Sequence, residues 1–192
     1  MRHLVVYSHP NPKSFNCAIK ETFKEALENK GHEVRVRDLY ALGFDPVLRH
    51  SDFEALAKGS VLADVKTEQD HFNWAEMATF IFPIWWTGLP SMMKGYIDRV
   101  FSHGFAYVTE NGAIKKLLTG KKALIINTTG SPKEIYEATG MYTSLRQTSD
   151  EGIFAFCGIE VAGHKFFSGV PFISDVDRKA MLEEVKEIAA RI

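Results

Sequence analysis

The chain has 192 residues, 45% apolar and 24% charged, which suits one folded domain and excludes the compositions of disordered, collagen-like and membrane-spanning proteins. A formal charge of -1 supplies no overall basic field, so the term that drives non-specific nucleic-acid binding is missing and no nucleic-acid partner is expected. The two cysteines, Cys17 and Cys157, make no disulfide framework, no run reaches the length of a membrane span, and the proline-broken start MRHLVVYSHPNP does not suit a signal peptide; the expectation is a cytoplasmic protein without membrane insertion.

Residues 3–8 (HLVVYS) form a short apolar run before a polar, proline-containing loop, the pattern of a strand buried on both faces. Apolar residues then recur at helical spacing over residues 15–29, and Gly31 supplies a stop. Residues 34–39 alternate as a second strand, which completes a right-handed βαβ unit. Past a loop with Gly43 and Pro46, residues 52–58 and 68–78 read as helices, 79–82 as the third strand, and 91–102 as a helix with Met93, Tyr96, Ile97 and Val100 on its apolar side. Residues 122–127 (KALIIN) are the fourth strand and end in the turn Thr128-Thr129-Gly130-Ser131. A helix is expected within residues 142–157, the fifth strand within 158–167, and a final amphipathic helix over 175–192.

Alternating strands and helices predict one three-layer α/β domain over residues 1–192 with a five-stranded parallel sheet. Five strands favour the flavodoxin-like order 2-1-3-4-5. Its switch point lies between strands 1 and 3, and ligands bind there beyond the carboxyl ends. The loops after Ser8, Phe82 and Asn127 therefore share the expected site.

The first loop leads into a helix N-terminus, whose unpaired N–H groups can hold an anion; His9, Lys13, Ser14 and Asn16 add donors. The same residues also suit an ordinary strand-to-helix loop with Ser14 as the N-cap. The second loop, IFPIWWTG, offers a flat apolar surface from Pro83 to Trp86 that can face a planar ring, while Trp85 equally suits packing at the sheet edge or a subunit interface. The third loop supplies small donor-rich residues, with Tyr136 close behind in sequence, or else a plain turn with threonine caps. Together these features suit a phosphorylated planar cofactor such as flavin mononucleotide. Scattered histidines and the absence of GxSxG and GxGxxG argue against a metal centre, a serine hydrolase and a Rossmann dinucleotide site.

The segments SHPNPKSFNCA, IFPIWWTGLPSMMKGYIDRVFSHGFAY and the TTGS turn with Tyr136 together resemble the NAD(P)H:quinone oxidoreductase family, the DT-diaphorase-like flavoproteins. The resemblance spans nearly the whole chain. It implies a flavodoxin-like homodimer that takes hydride from NAD(P)H onto flavin and then passes two electrons to a quinone-like acceptor, in ping-pong order, in a pocket completed by the second subunit. Carried onto this sequence, the phosphate contacts fall on His9, Phe15, Asn16 and Ala18, and the ring contacts on Pro83, Ile84, Trp85, Trp86, Thr128, Thr129, Gly130, Ser131 and Tyr136. Trp86 becomes a wall of the substrate pocket, with Trp85 meeting the flavin chiefly through its backbone. Phe105 and Tyr107 suit either that pocket or the core. Tyr136 would stabilise the charge of the reduced ring. Where DT-diaphorase has a histidine in the same loop, this chain has Tyr142, a hydrogen-bond donor but, with a phenol pKa near ~10, a poorer acid at neutral pH. Gly104 in place of a glutamate, a shorter segment between strands 2 and 3, and no extended C-terminal tail incline the cofactor to FMN over FAD. Some similar proteins are ancillary subunits of potassium-efflux systems, which gives a regulatory role as the alternative.

Overall fold

The computed structural model describes residues 1–192. Strand β1 (Arg2–Tyr7) is buried along almost its whole length, as a continuous apolar run must be when both faces are covered. Helix α1 (Phe15–Asn29) follows; the Ser14 side chain caps it by accepting from the Cys17 N–H, and Gly31 at φ +80° ends the turn behind it. Strand β2 (Glu33–Asp38) runs parallel to β1. Helices α2 (His50–Ala57) and α3 (Ala63–Trp74) precede β3 (Met77–Pro83), which is buried throughout. Helix α4 (Ser91–Val100), strands β4 (Tyr107–Glu110) and β5 (Ala113–Lys116), and strand β6 (Lys122–Thr128) come next. The short helices α5 (Lys133–Ala138) and α6 (Met141–Arg146) lead to β7 (Glu160–Phe167) and α7 (Asp175–Ala190). Helix α6 continues as a π-helix over Gln147–Ala155.

The parallel sheet has the order β2-β1-β3-β6-β7, which is the expected 2-1-3-4-5 pattern once the separate pair β4-β5 is set aside. Successive residues of β1 face opposite cores. Val5 and Tyr7 pack with Ile19, Phe23 and Val185 under α1 and α7; Leu4 and Val6 pack with Phe72, Phe80, Tyr96 and Phe101 on the other side. Each fully buried large apolar side chain contributes about 1.5–3 kcal/mol relative to exposure.

Two expectations are corrected. The helix read over residues 68–78 ends at Trp74, because the apolar Met77 and Ala78 pair with His3 and Leu4 and begin the strand instead. The antiparallel pair β4-β5 was not expected at all. Its turn is Asn111-Gly112, both at positive φ, the two-residue connection whose twist matches that of the flanking strands.

Helix α4, which follows the second loop, is fastened from behind. The buried Arg99 guanidinium donates to Asp52 at 3.0 Å, to Asp64 at 2.6 Å and to the Asp45 carbonyl at 2.8 Å. Gly95 permits the close approach: a Cβ there would lie 2.0 Å from the Pro46 carbonyl oxygen.

Candidate active site

A cavity of about 780 Å³ opens at the carboxyl ends of the strands, where β1 and β3 diverge in connection. Its walls are His9, Ser14, Phe15 and Asn16 from the first loop and the start of α1, residues 83–87 from the second loop, residues 128–131 with Tyr136 from the third, and Val170, Pro171 and Phe172 from the loop after β7. Most residues singled out from sequence thus meet in one place.

Five do not reach it: Lys13 and Tyr107 are absent from its walls, and so are three more. Ala18 sits a turn inside α1, where its N–H is already committed to the Ser14 carbonyl. Tyr142 stands behind Tyr136, ring centroids 5.2 Å apart, with its hydroxyl bonded to Ser168 Oγ. Phe105 packs edge-on to Phe72 and borders a separate cavity with Gln69, Ser102 and His103. Conversely, Thr87 and the stretch Val170-Pro171-Phe172 line the cavity without having been singled out. The signal for the latter was the position of the loop after the fifth strand, next to the fourth at the same sheet edge.

At one end of the cavity the backbone N–H groups of Phe15 and Asn16 have no partner within the protein, as expected of a first helical turn, and they carry the partial positive charge of the helix N-terminus. Asn16 is buried; its Nδ2 donates to Thr128 Oγ1 at 2.7 Å, and its Oδ1 is left without a donor. An orphaned acceptor beside free N–H groups matches a ligand that carries both an anion and hydroxyls. His9 accepts from the Asn11 N–H through Nδ1 at 3.0 Å, and burial lowers its pKa, so the ring is neutral at pH 7 and its Nε2 carries the hydrogen. Its edge meets the Trp85 ring at 5.8 Å.

The middle wall is a tight turn. The Trp85 N–H donates to the Gly88 carbonyl at 3.3 Å and the Gly88 N–H to the Trp85 carbonyl at 3.1 Å. Between them Trp86 and Thr87 have φ +51° and +52°, a conformation normally left to Asn and Gly and costing L-residues about 1–2 kcal/mol each. Strain of this kind persists where the surroundings over-determine it, often at functional sites. The Trp86 indole is 102% exposed and touches no core; Trp85 is half-exposed. The Ile84 N–H donates to the Thr128 carbonyl at 2.8 Å and ties the second loop to the third. In the third loop Thr129 is spent on β7, its N–H donating to the Phe167 carbonyl, whereas the N–H groups of Gly130 and Ser131 are free.

The cavity thus combines an anion-binding end, an aromatic middle and a donor-rich turn. That combination fits a phosphorylated planar cofactor with a hydroxylated linker.

The whole chain, residues 1–192, matches a family model described as flavodoxin-like fold. A Haemophilus influenzae protein named "Uncharacterized NAD(P)H oxidoreductase" is 39% identical over 184 residues, covering 95% of this chain and 91% of its own. A Mus musculus ribosyldihydronicotinamide dehydrogenase (quinone) is 32% identical, covering 93% of this chain and 86% of its own. Among solved structures, an NAD(P)H:quinone oxidoreductase from Methanothermobacter marburgensis superposes with a TM-score of 0.88 at 27% identity, over 98% of this chain and 97% of that one.

Proposed function

The chain belongs to the NAD(P)H:quinone oxidoreductase family of flavodoxin-like fold and is an oxidoreductase of that type, and from this premise we propose that it holds FMN in the cavity at the switch point and transfers hydride from NAD(P)H to a quinone-like acceptor in ping-pong fashion. The observation that carries this reading is the joint presence of free helix N-terminal N–H groups, the orphaned Asn16 Oδ1 and the aromatic turn around one cavity.

The Phe15 and Asn16 N–H groups would hold the phosphate, and Asn16 Oδ1 would accept from a linker hydroxyl. The free N–H groups of Gly130 and Ser131 and the Tyr136 hydroxyl would hold the polar side of such a ring and offer donors to negative charge there. Bound flavin supplies the two-electron chemistry; the protein supplies binding, orientation and electrostatics. Trp86 gives the exposed flat face against which nicotinamide and acceptor rings are stacked in turn. One open apolar wall serves both, which is why neither substrate needs a site of its own. In a homodimer the second subunit would close this wall from outside.

Purified protein is expected to be yellow, to release a flavin with the mass of FMN on denaturation, and to oxidise NAD(P)H when given a quinone. A colourless preparation that also binds neither added FMN nor FAD would sink the reading. Release of FAD would overturn the choice of cofactor alone.

A further inference from the structure

Beneath the cavity, on the sheet face covered by α6 and its π-helical continuation, a polar chain crosses three strands. His164 on β7 is buried, its side chain 1% exposed. Its Nδ1 lies 2.7 Å from Asp150 Oδ1, and its Nε2 lies 2.7 Å from Asn127 Oδ1 on β6. Asn127 Nδ2 in turn donates at 2.9 Å to the Phe82 carbonyl on β3. That last bond sets the amide's orientation, because a reversed amide would oppose two oxygens. With Oδ1 toward the imidazole, Nε2 must carry a hydrogen.

The surroundings are built to keep this arrangement. Ser149 Oγ lies 2.7 Å from Asp150 Oδ1, and Arg146 Nη1 is 4.0 Å from its other oxygen. Asp150 is delivered from the π-helix, a rare form whose wider turn depends on close local packing; a Cβ at Gly152 would lie 3.2 Å from the Gln147 carbonyl oxygen. The His164 ring also stacks on Phe166 at 4.1 Å, Phe166 on Tyr142 at 4.5 Å, and Tyr142 on Tyr136 in the cavity wall at 5.2 Å.

We propose that Asp150, His164 and Asn127 are positioning residues for the cavity, a hydrogen-bonded strut that holds the ends of β3 and β6 in register where the second and third loops begin. Phe82 and Asn127 are paired neighbours in the sheet and directly precede Pro83 and Thr128. Beyond them the Ile84 to Thr128 hydrogen bond is the backbone tie between the two loops, so any turning of the strand ends is passed straight to the cavity walls. The consequence for flavin rests on the function proposed above; the effect on the loops does not.

Two variants separate the strut from the ring stack. His164→Phe keeps an aromatic ring but no donor, whereas His164→Gln keeps a donor near the Nε2 position but no ring. Hydrogen exchange of the Ile84 amide, compared with Val5 in the centre of β1, reads the joint between the loops without any ligand; fluorescence titration with FMN reads the site. In His164→Phe, Ile84 exchange is expected to quicken about tenfold relative to Val5 and the FMN dissociation constant to rise about tenfold, the scale of a buried polar group left unpaired. His164→Gln is expected to stay within about threefold of the unaltered protein on both readings. Equal acceleration at Ile84 and Val5, equal effects of Phe and Gln, or no effect of either overturns the strut. If the unaltered protein takes up no flavin, the proposed function fails, and the exchange comparison still decides the strut.

Discussion

Replacing Trp86 by asparagine tests stability and function in opposite directions. The indole is fully exposed, so its removal gives up no burial within the chain. Its backbone, at φ +51°, lies where bulky residues are strained by about 1–2 kcal/mol and asparagine is tolerated. Recovering part of that strain should stabilise the fold by about 0.5–1 kcal/mol, a rise of about 1–4 °C in melting temperature for a chain of this size. A stacked aromatic partner adds about 0.5–1.5 kcal/mol, so the variant should raise KM for a quinone about two- to tenfold. Thermal and urea unfolding at fixed flavin loading, with steady-state kinetics on the same samples, measure both. A fall of several degrees would show that the indole buries surface in an assembly, and an unchanged KM would remove it from the substrate wall.

Tyr136→Phe is expected to slow hydride transfer about 10- to 100-fold, the scale of one hydrogen bond to a charged group, while weakening flavin binding less than about threefold; equal losses in stopped-flow reduction and in flavin affinity would contradict the role assigned to the hydroxyl. His3 sets an acid limit on the fold. Burial pushes its pKa from 6.5 down to about 4, aided by repulsion from His32 and the N-terminus. The unfolded chain therefore binds the proton more readily, so this contribution is complete above pH 6.5 and falls by about 3 kcal/mol as pH drops to 4. His3→Gln, which retains a donor toward Thr79, should flatten that limb of the pH-stability curve, and parallel urea midpoints for the two proteins at pH 7, 5.5 and 4 would refute the assignment.

The order of the sheet was legible because the central strands β1, β3 and β6 are nearly unbroken apolar runs, and the right-handed crossover leaves few ways to arrange five strands. The loops at the switch point followed from that order. What escaped reading depended on packing between distant segments. Asn111-Gly112 carried a hairpin signal, but its flanks YVTE and AIKK are only four residues each, too short to register as strands. Nine residues of π-helix are too few to show their period in the sequence, and His164 meets Asp150 and Asn127 only after β7 pairs with β6. Phe105 and Tyr142 lie near site residues in sequence, yet their rings turn toward Phe72 and Phe166. Ala18 fails for a local reason: one turn into a helix, the N–H already has a partner.

The β4-β5 pair shares no ladder with the parallel sheet, and β5 is exposed along its length. Its Asn111-Gly112 turn is therefore a point where the chain can be opened and a peptide tag or fluorescent reporter grafted. Closing a loop twice as long costs only about 0.6 kcal/mol more, and no strand that frames the cavity has to shift to admit the graft.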